Sequence, residues 1–164
     1  MQQAFRASIY HCLEDPGEEG RDSASDYLDD GLLVVENGVV AKLGPADKLL
    51  PELRDDTSVK DYSGKLIIPG LIDCHVHYSQ LDIIASYGGQ LLDWLVRYAY
   101  AEEVRFADKD HSASVAGVFL DELLRNGTTT ALVFTTVFPQ SVDAIFEAAA
   151  ERNMRLIAGK VLMD

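Results

Sequence analysis

The feature that most constrains this chain is the run Leu66-Ile67-Ile68-Pro69-Gly70-Leu71-Ile72-Asp73-Cys74-His75-Val76-His77. Its nearly continuous apolar part, Leu66 to Asp73, reads as a strand buried on both faces, the kind found in parallel sheets covered by helices. Side chains two apart on a strand share a face, so His75 and His77 aim together from the end of that strand. Imidazole nitrogens are good zinc ligands, and in a β/α barrel the C-terminal ends of the strands form the active-site mouth. A bare His-x-His pair is weak evidence, because it occurs by chance in many chains. Behind an apolar strand with Pro-Gly, and with Asp73 two residues ahead, it points to a metal centre.

Downstream, helix and strand patterns alternate. Gln90 to Tyr100, Asp110 to Asn126 and Ser141 to Asn153 read as helices, with strands at Thr130 to Thr136 and Arg155 to Leu162. Asn126-Gly127 is a helix stop that opens the first of these strands. Such alternation implies parallel strands joined by crossovers, so residues 65–164 are expected to form about three strand-and-helix steps of an α/β domain. A (β/α)8 barrel takes about 250 residues, whereas residues 70–164 supply 164 − 69 = 95. The chain is therefore expected to be truncated, and by itself inactive and poorly folded.

Residues 1–64 have a different texture. Gln3 to Cys12 reads as a strand. Gly31 to Glu36 and Val39 to Gly44 flank Asn37-Gly38, a strong hairpin signal because a type I′ turn needs positive φ at both central residues. Asp47 to Thr57 suggests a short helix and loop, and Asp61-Tyr62-Ser63-Gly64 closes the region. Between the first strands, Glu14 to Asp30 carries eight acids against Arg21 alone. With Pro16, Gly17 and Gly20 inside it, the stretch reads as a solvated loop.

The whole chain has 27 acidic and 14 basic residues, a net charge of −13. That argues against a polyanionic partner, since nucleic acid needs Lys and Arg to neutralise its phosphates. No stretch approaches the roughly 18 apolar residues of a membrane span, and the start shows no secretory signal. Two cysteines, Cys12 and Cys74, make no disulfide framework and suit a reducing, cytoplasmic setting.

The run from Gly64 to His77 resembles the opening fingerprint of the amidohydrolase superfamily. That resemblance implies a metal-dependent (β/α)8 barrel together with a small β-sandwich built from both chain ends. Residues 1–64 would supply the N-terminal part of the sandwich, and 65–164 the incomplete start of the barrel. The blocks His77-Tyr78-Ser79-Gln80, Tyr87-Gly88, Leu91-Leu92-Asp93-Trp94-Leu95, Glu102-Glu103-Val104-Arg105-Phe106, Leu124 to Thr130 and Gly159-Lys160-Val161-Leu162-Met163-Asp164 are similar to guanine deaminases within it. The resemblance implies hydrolysis of guanine to xanthine and ammonia, with one zinc per subunit and a homodimeric full-length parent. It implies that His75 and His77 bind the metal and that Gln80 contacts the purine, with Tyr78, Ser79 and Trp94 nearby. The remaining ligands and the catalytic acid-base group would lie beyond Asp164, leaving no catalytic residue within the chain.

Several of these residues also carry plainer readings. Trp94 is spaced as in an amphipathic core helix, where packing is the default. Asp73 is suited to orienting a histidine or capping the strand end, as carboxylates beside metal ligands do. Cys74 points away from His75 and reads as a small buried hydrophobe. His11 falls among the first strands, and His111 near a helix start suggests capping or solvent exposure. Zinc deaminases of another fold carry His-x-Glu and Pro-Cys-x-x-Cys motifs, and this chain has no Cys-x-x-Cys. The remaining rivals are an amidohydrolase acting on a chlorotriazine or other heterocycle, and a non-catalytic scaffold on the same fold.

Overall fold

The computed structural model describes residues 2–18 and 20–163. Glu19 of the acidic stretch and Asp164 of the last sequence block lie outside the described residues. Two compact units divide between Pro69 and Gly70, a few residues after the change of texture at Gly64.

The first unit is built on a four-stranded sheet in the order β3-β2-β1-β4. Its strands are β1 (Gln2–Cys12), β2 (Ser25–Glu36), β3 (Val39–Pro45) and β4 (Ser58–Ile67). β2 runs antiparallel to both β1 and β3, while β4 is parallel to β1. The hairpin falls where expected, with Asn37 at φ 54 and Gly38 at φ 80, the left-handed conformation a type I′ turn demands. A one-turn helix, α1 (Ala46–Leu49), buries Ala46 against Ala4, Leu32 and Val34.

Two expectations for this unit fail. The acidic stretch is not all loop, because Asp26, Asp29 and Asp30 lie on β2. They are held at the sheet surface by neighbours on β1: Arg6 grips Asp30 through two 2.7 Å hydrogen bonds, and His11 stands 3.8 Å from Asp26. The segment at Asp61 to Gly64 lies in the middle of β4 and does not close the region. Its pairing with β1 steps from Arg6↔Asp61 to Ser8↔Leu66, so the turn-like residues form a bulge, and an exposed polar strand carries no hydrophobic alternation to announce it.

The run Leu66 to Asp73 is likewise divided. Leu66 and Ile67 end β4, and β5 (Leu71–His77) starts after Pro69-Gly70. Proline lacks the N–H that a continued ladder needs. Gly70 allows a close approach, since a Cβ there would lie 2.0 Å from Thr129 Oγ1 and 2.7 Å from Thr129 Cβ.

The second unit has a parallel sheet in the order β5-β6-β7, with β6 at Thr128–Phe134 and β7 at Arg155–Gly159. Between β5 and β6 the chain forms a helical segment made of α2 (Leu91–Trp94), a π turn at Leu95–Ala99, α3 (Tyr100–Glu103) and a 3-10 turn at Val104–Ala107. Then comes α4 (Lys109–Arg125), and α5 (Pro139–Glu151) connects β6 to β7. Asp108 starts α4 by accepting hydrogen bonds from the backbone N–H groups of Asp110 and His111 at 2.8 and 3.0 Å, a side-chain N-cap. Val115, Ala116, Phe119 and Leu120 recur at helical spacing on one face of α4. They meet Ala131 and Val133 of β6 and Ile145 and Ala148 of α5 in one core.

Among the described residues no helix is long and apolar enough to cross a membrane. The sheet of the second unit ends at β5 and β7, where Ile72 is 68% exposed and Ile157 59% exposed. Open parallel edges flanked by exposed apolar side chains favour association over independent folding. The 164-residue chain expressed alone is expected to bind a hydrophobic dye and to melt without a sharp transition in calorimetry. A soluble monomer with a single cooperative transition would contradict this.

Candidate metal and purine site at the end of β5

His75 and His77 alternate at the end of β5 and share one face of the strand, whereas the register slips between Asp73 and Val76, which pair with Ala131 and Val133 of β6. Asp73 Oδ1 accepts a hydrogen bond from the backbone N–H of His75 at 3.0 Å, so it fixes the main chain at the first histidine rather than gripping an imidazole. The two imidazole rings stand side by side with centroids 5.2 Å apart. The register pairs His77 with Phe134 of β6, and the Phe134 ring forms a platform for both histidines. Its centroid lies 4.8 Å from His75 and 4.7 Å from His77, the latter stacked at 14°.

Burial is the main cause that pushes His77 below the ordinary histidine value, with the charge of His75 a second cause. His77 is thereby biased toward neutral imidazole, the form that binds metal. Among the described residues no group of three or more His, Cys, Asp or Glu side chains is placed to hold an ion. His75 and His77 thus stand as two imidazoles side by side with no third such group beside them among the described residues.

A 3-10 turn at Tyr78–Ile83 follows β5 directly and returns Gln80 toward the histidines. Gln80 Nε2 lies 3.4 Å from His77 Nδ1. Ser79 is buried, and its hydroxyl donates to Glu103 Oε1 at 3.4 Å. Burial pushes the Glu103 carboxyl up, while hydrogen bonds from Gln80 and Ser79 oppose that shift. The structure thus groups His75, His77, Gln80, Ser79, Glu103 and Phe134.

Glu103 and Phe134 escaped the sequence reading. Glu103 sits in a helical acidic pair that resembles any solvated face. Phe134 looks like one more apolar residue of a buried strand, and its only signal is its place at the C-terminal end of β6.

Other sequence expectations are corrected here. Tyr78 does not line a ligand site. Its side chain is fully buried in the core of the second unit, edge-on to Phe106 with centroids 5.1 Å apart, and its hydroxyl donates to the Ser141 carbonyl at 2.6 Å. Burial pushes its phenol up to about 12. Trp94 is half-buried beside Tyr98, with centroids 6.3 Å apart, on a cleft of about 190 Å³ shared with Tyr87, Gly89, Asp93 and Arg97. Neither histidine lines that cleft, which favours the packing reading for Trp94. Cys74 is exposed rather than buried. His111 does not cap α4, because Asp108 does. Its ring is edge-on to Phe106 at 4.9 Å, with Nε2 3.7 Å from Glu102.

Residues 66–164 match the amidohydrolase family, and the chain belongs to that family. Within it, a guanine deaminase of Escherichia coli is 49% identical over 142 residues, covering 87% of this chain and 32% of the relative. A solved structure of the E. coli guanine deaminase superposes with a TM-score of 0.89 at 45% identity, over 99% of this chain and 38% of that one. Guanine deaminase from Bradyrhizobium japonicum gives 0.84 at 35% identity, over 97% of this chain and 35% of that one. Guanine deaminase from C. acetobutylicum, solved with guanine in its active site, gives 0.77 at 25% identity, over 100% and 37%.

This chain spans about a third of the length of the relatives it matches. Measured against them, β5, β6 and β7 are the opening strands of the family's barrel, which does not close within the described residues.

Tyr78→Phe removes one buried hydrogen bond, that of the Tyr78 hydroxyl to the Ser141 carbonyl. In a full-length protein carrying this segment it is expected to cost about 1 kcal/mol of stability, read by urea unfolding, with no change in substrate KM. A rise in KM without loss of stability would return Tyr78 to the ligand site.

Proposed function

We propose that this chain is the N-terminal third of a zinc-dependent guanine deaminase, which hydrolyses guanine to xanthine and ammonia. The observation that carries the reading is the pair His75 and His77 at the C-terminal end of β5, with Gln80 returned to within 3.4 Å of the second histidine. The 49% identity to the E. coli guanine deaminase over most of this chain supports the choice of substrate, as does the guanine bound in the C. acetobutylicum relative.

On this reading His75 and His77 hold one zinc per subunit, together with ligands from the remainder of the protein. A zinc bound there supplies a water of lowered pKa near neutral pH. The residues of this chain do the rest of its share. Asp73 fixes the backbone at His75. Phe134 limits the freedom of both rings and shields one side of them from water. Gln80 contacts the purine edge, and Ser79 contributes through Glu103. The acid-base group that moves protons to the ring and to the departing amine belongs to the part of the protein beyond this chain.

The whole protein is assigned to purine catabolism in the cytoplasm, as a homodimer with neither nucleic acid nor a membrane as partner. The net charge of −13 supports the exclusion of nucleic acid. Residues 1–64 are assigned to the N-terminal part of a composite β-sandwich.

Steady-state ammonia release by the full-length protein from guanine, adenine and cytosine tests the reading. Guanine is expected to be strongly preferred, and preference for either other base would refute it. Gln80→Ala is expected to keep zinc and raise the KM for guanine about tenfold, as the loss of a substrate contact should. Loss of zinc with unchanged KM would place Gln80 in the metal site instead.

A further inference from the structure

We propose that Gly159 is a specificity-determining residue, a floor without a side chain on which a flat, fused-ring base lies beside Phe134, an inference that rests on the purine site read above. Alternation divides the parallel sheet into two faces. Ala131 and Val133 of β6 are buried in the helical core, and Val76, Leu156 and Ala158 pack against it. His77, Phe134 and Gly159 therefore belong to the opposite face. The register sets them in line, with His77 beside Phe134 and Phe134 beside Gly159. One row across the carboxyl ends of three strands thus carries an imidazole, a phenyl ring and a hydrogen. That end of the strands is where the ligands of β/α barrels bind.

Two ordinary reasons for a glycine do not apply at this position. Gly159 is not among the glycines of positive φ, so its backbone accepts any residue. Nor is it crowded, because a Cβ added there meets no atom within 4 Å among the described residues. Gly70 is the contrast, since its added Cβ would lie 2.0 Å from Thr129 Oγ1. Glycine weakens a strand, and one that neither turn nor packing requires marks a place of close approach by a ligand.

The floor is also held in place. Thr135 is fully buried and donates its hydroxyl to the Gly159 carbonyl at 2.7 Å. Val161 N–H, two residues on, donates to the Thr136 carbonyl at 3.1 Å. Strands in a sheet lie about 4.8 Å apart, which puts Gly159 roughly 10 Å from His77 across the sheet. A single ring reacting beside the histidines ends over β6. A fused pair of rings extending over Phe134 continues onto β7, where only Gly159 leaves it room. Selection of a bicyclic over a monocyclic base follows from that shape.

The test uses Gly159→Ala and Gly159→Val in the full-length protein. The KM for guanine is expected to rise about tenfold in the first and about a hundredfold in the second, as overfilling a fitted space does. Zinc content is expected to stay unchanged. The urea midpoint is expected to stay level or rise, because a side chain relieves the entropic cost of glycine. A glycine needed only for packing would behave in the opposite way, with a lowered midpoint and no graded change in KM.

Unchanged KM in both variants, or a lowered midpoint with loss of zinc in Gly159→Ala, would overturn the proposal. A wild type that prefers adenine would remove the substrate assignment alone, since adenine is also a fused ring and the same two variants still decide the floor. Preference for cytosine would end both. Where the wild type turns over none of the three, calorimetric titration with guanine decides. Weaker binding to Gly159→Val than to the wild type supports the floor, and equal or absent binding ends it.

Discussion

The pairing of β5 with β6 is the constraint on which the rest of the site depends. It brings Phe134 opposite His77, so that one aromatic ring backs two imidazoles whose centroids are 5.2 Å apart. That pairing depends in turn on Gly70, where any side chain would collide with Thr129. The first ladder contact follows at once, as Leu71 N–H donates to the Gly127 carbonyl at 2.8 Å. A shift of one residue in β5 would turn both histidines to the other face of the sheet. The register therefore carries the chemistry, and the helical core formed by α4 and α5 holds the register.

Much of this was legible in the sequence because it follows from periodicity. The spacing of His75 and His77 on an apolar strand gave their common face directly. The helices α4 and α5 and the Asn37-Gly38 turn were equally plain, since each rests on local rules of backbone geometry. What was not legible depends on partners remote in sequence. β4 is a bulged, exposed strand that exists because β1 supplies its hydrogen bonds. Tyr78 follows the motif in sequence but leaves it in space, because the turn after β5 rotates its ring into the core while returning Gln80 toward His77. Glu103 became visible only when α3 was placed beside that turn.

The buried polar groups above the sheet explain how the strand ends stay ordered. Thr135 Oγ1 donates to the Gly159 carbonyl at 2.7 Å, and Thr136 Oγ1 to Ser141 Oγ at 2.9 Å. Val161 N–H donates to the Thr136 carbonyl at 3.1 Å. These bonds join the carboxyl ends of β6 and β7 to the start of α5, and Tyr78 adds its hydroxyl to the same helix turn through Ser141. The side chains that hold the end of the sheet together are thus distinct from His75, His77 and Gln80. On the function proposed above, ligand contact and stability fall to neighbouring residues of one short motif, with His77 and Gln80 on one side and Tyr78 on the other.

The central claim is that the end of β5 is one half of a metal site. Metal analysis of the full-length protein tests this most directly, with His75→Ala and His77→Ala purified and dialysed beside the wild type. The wild type is expected to carry about one zinc per chain, and each variant to lose most of it, because a catalytic zinc is held by about three protein ligands and tolerates the loss of none. Full zinc occupancy in both variants would contradict the assignment.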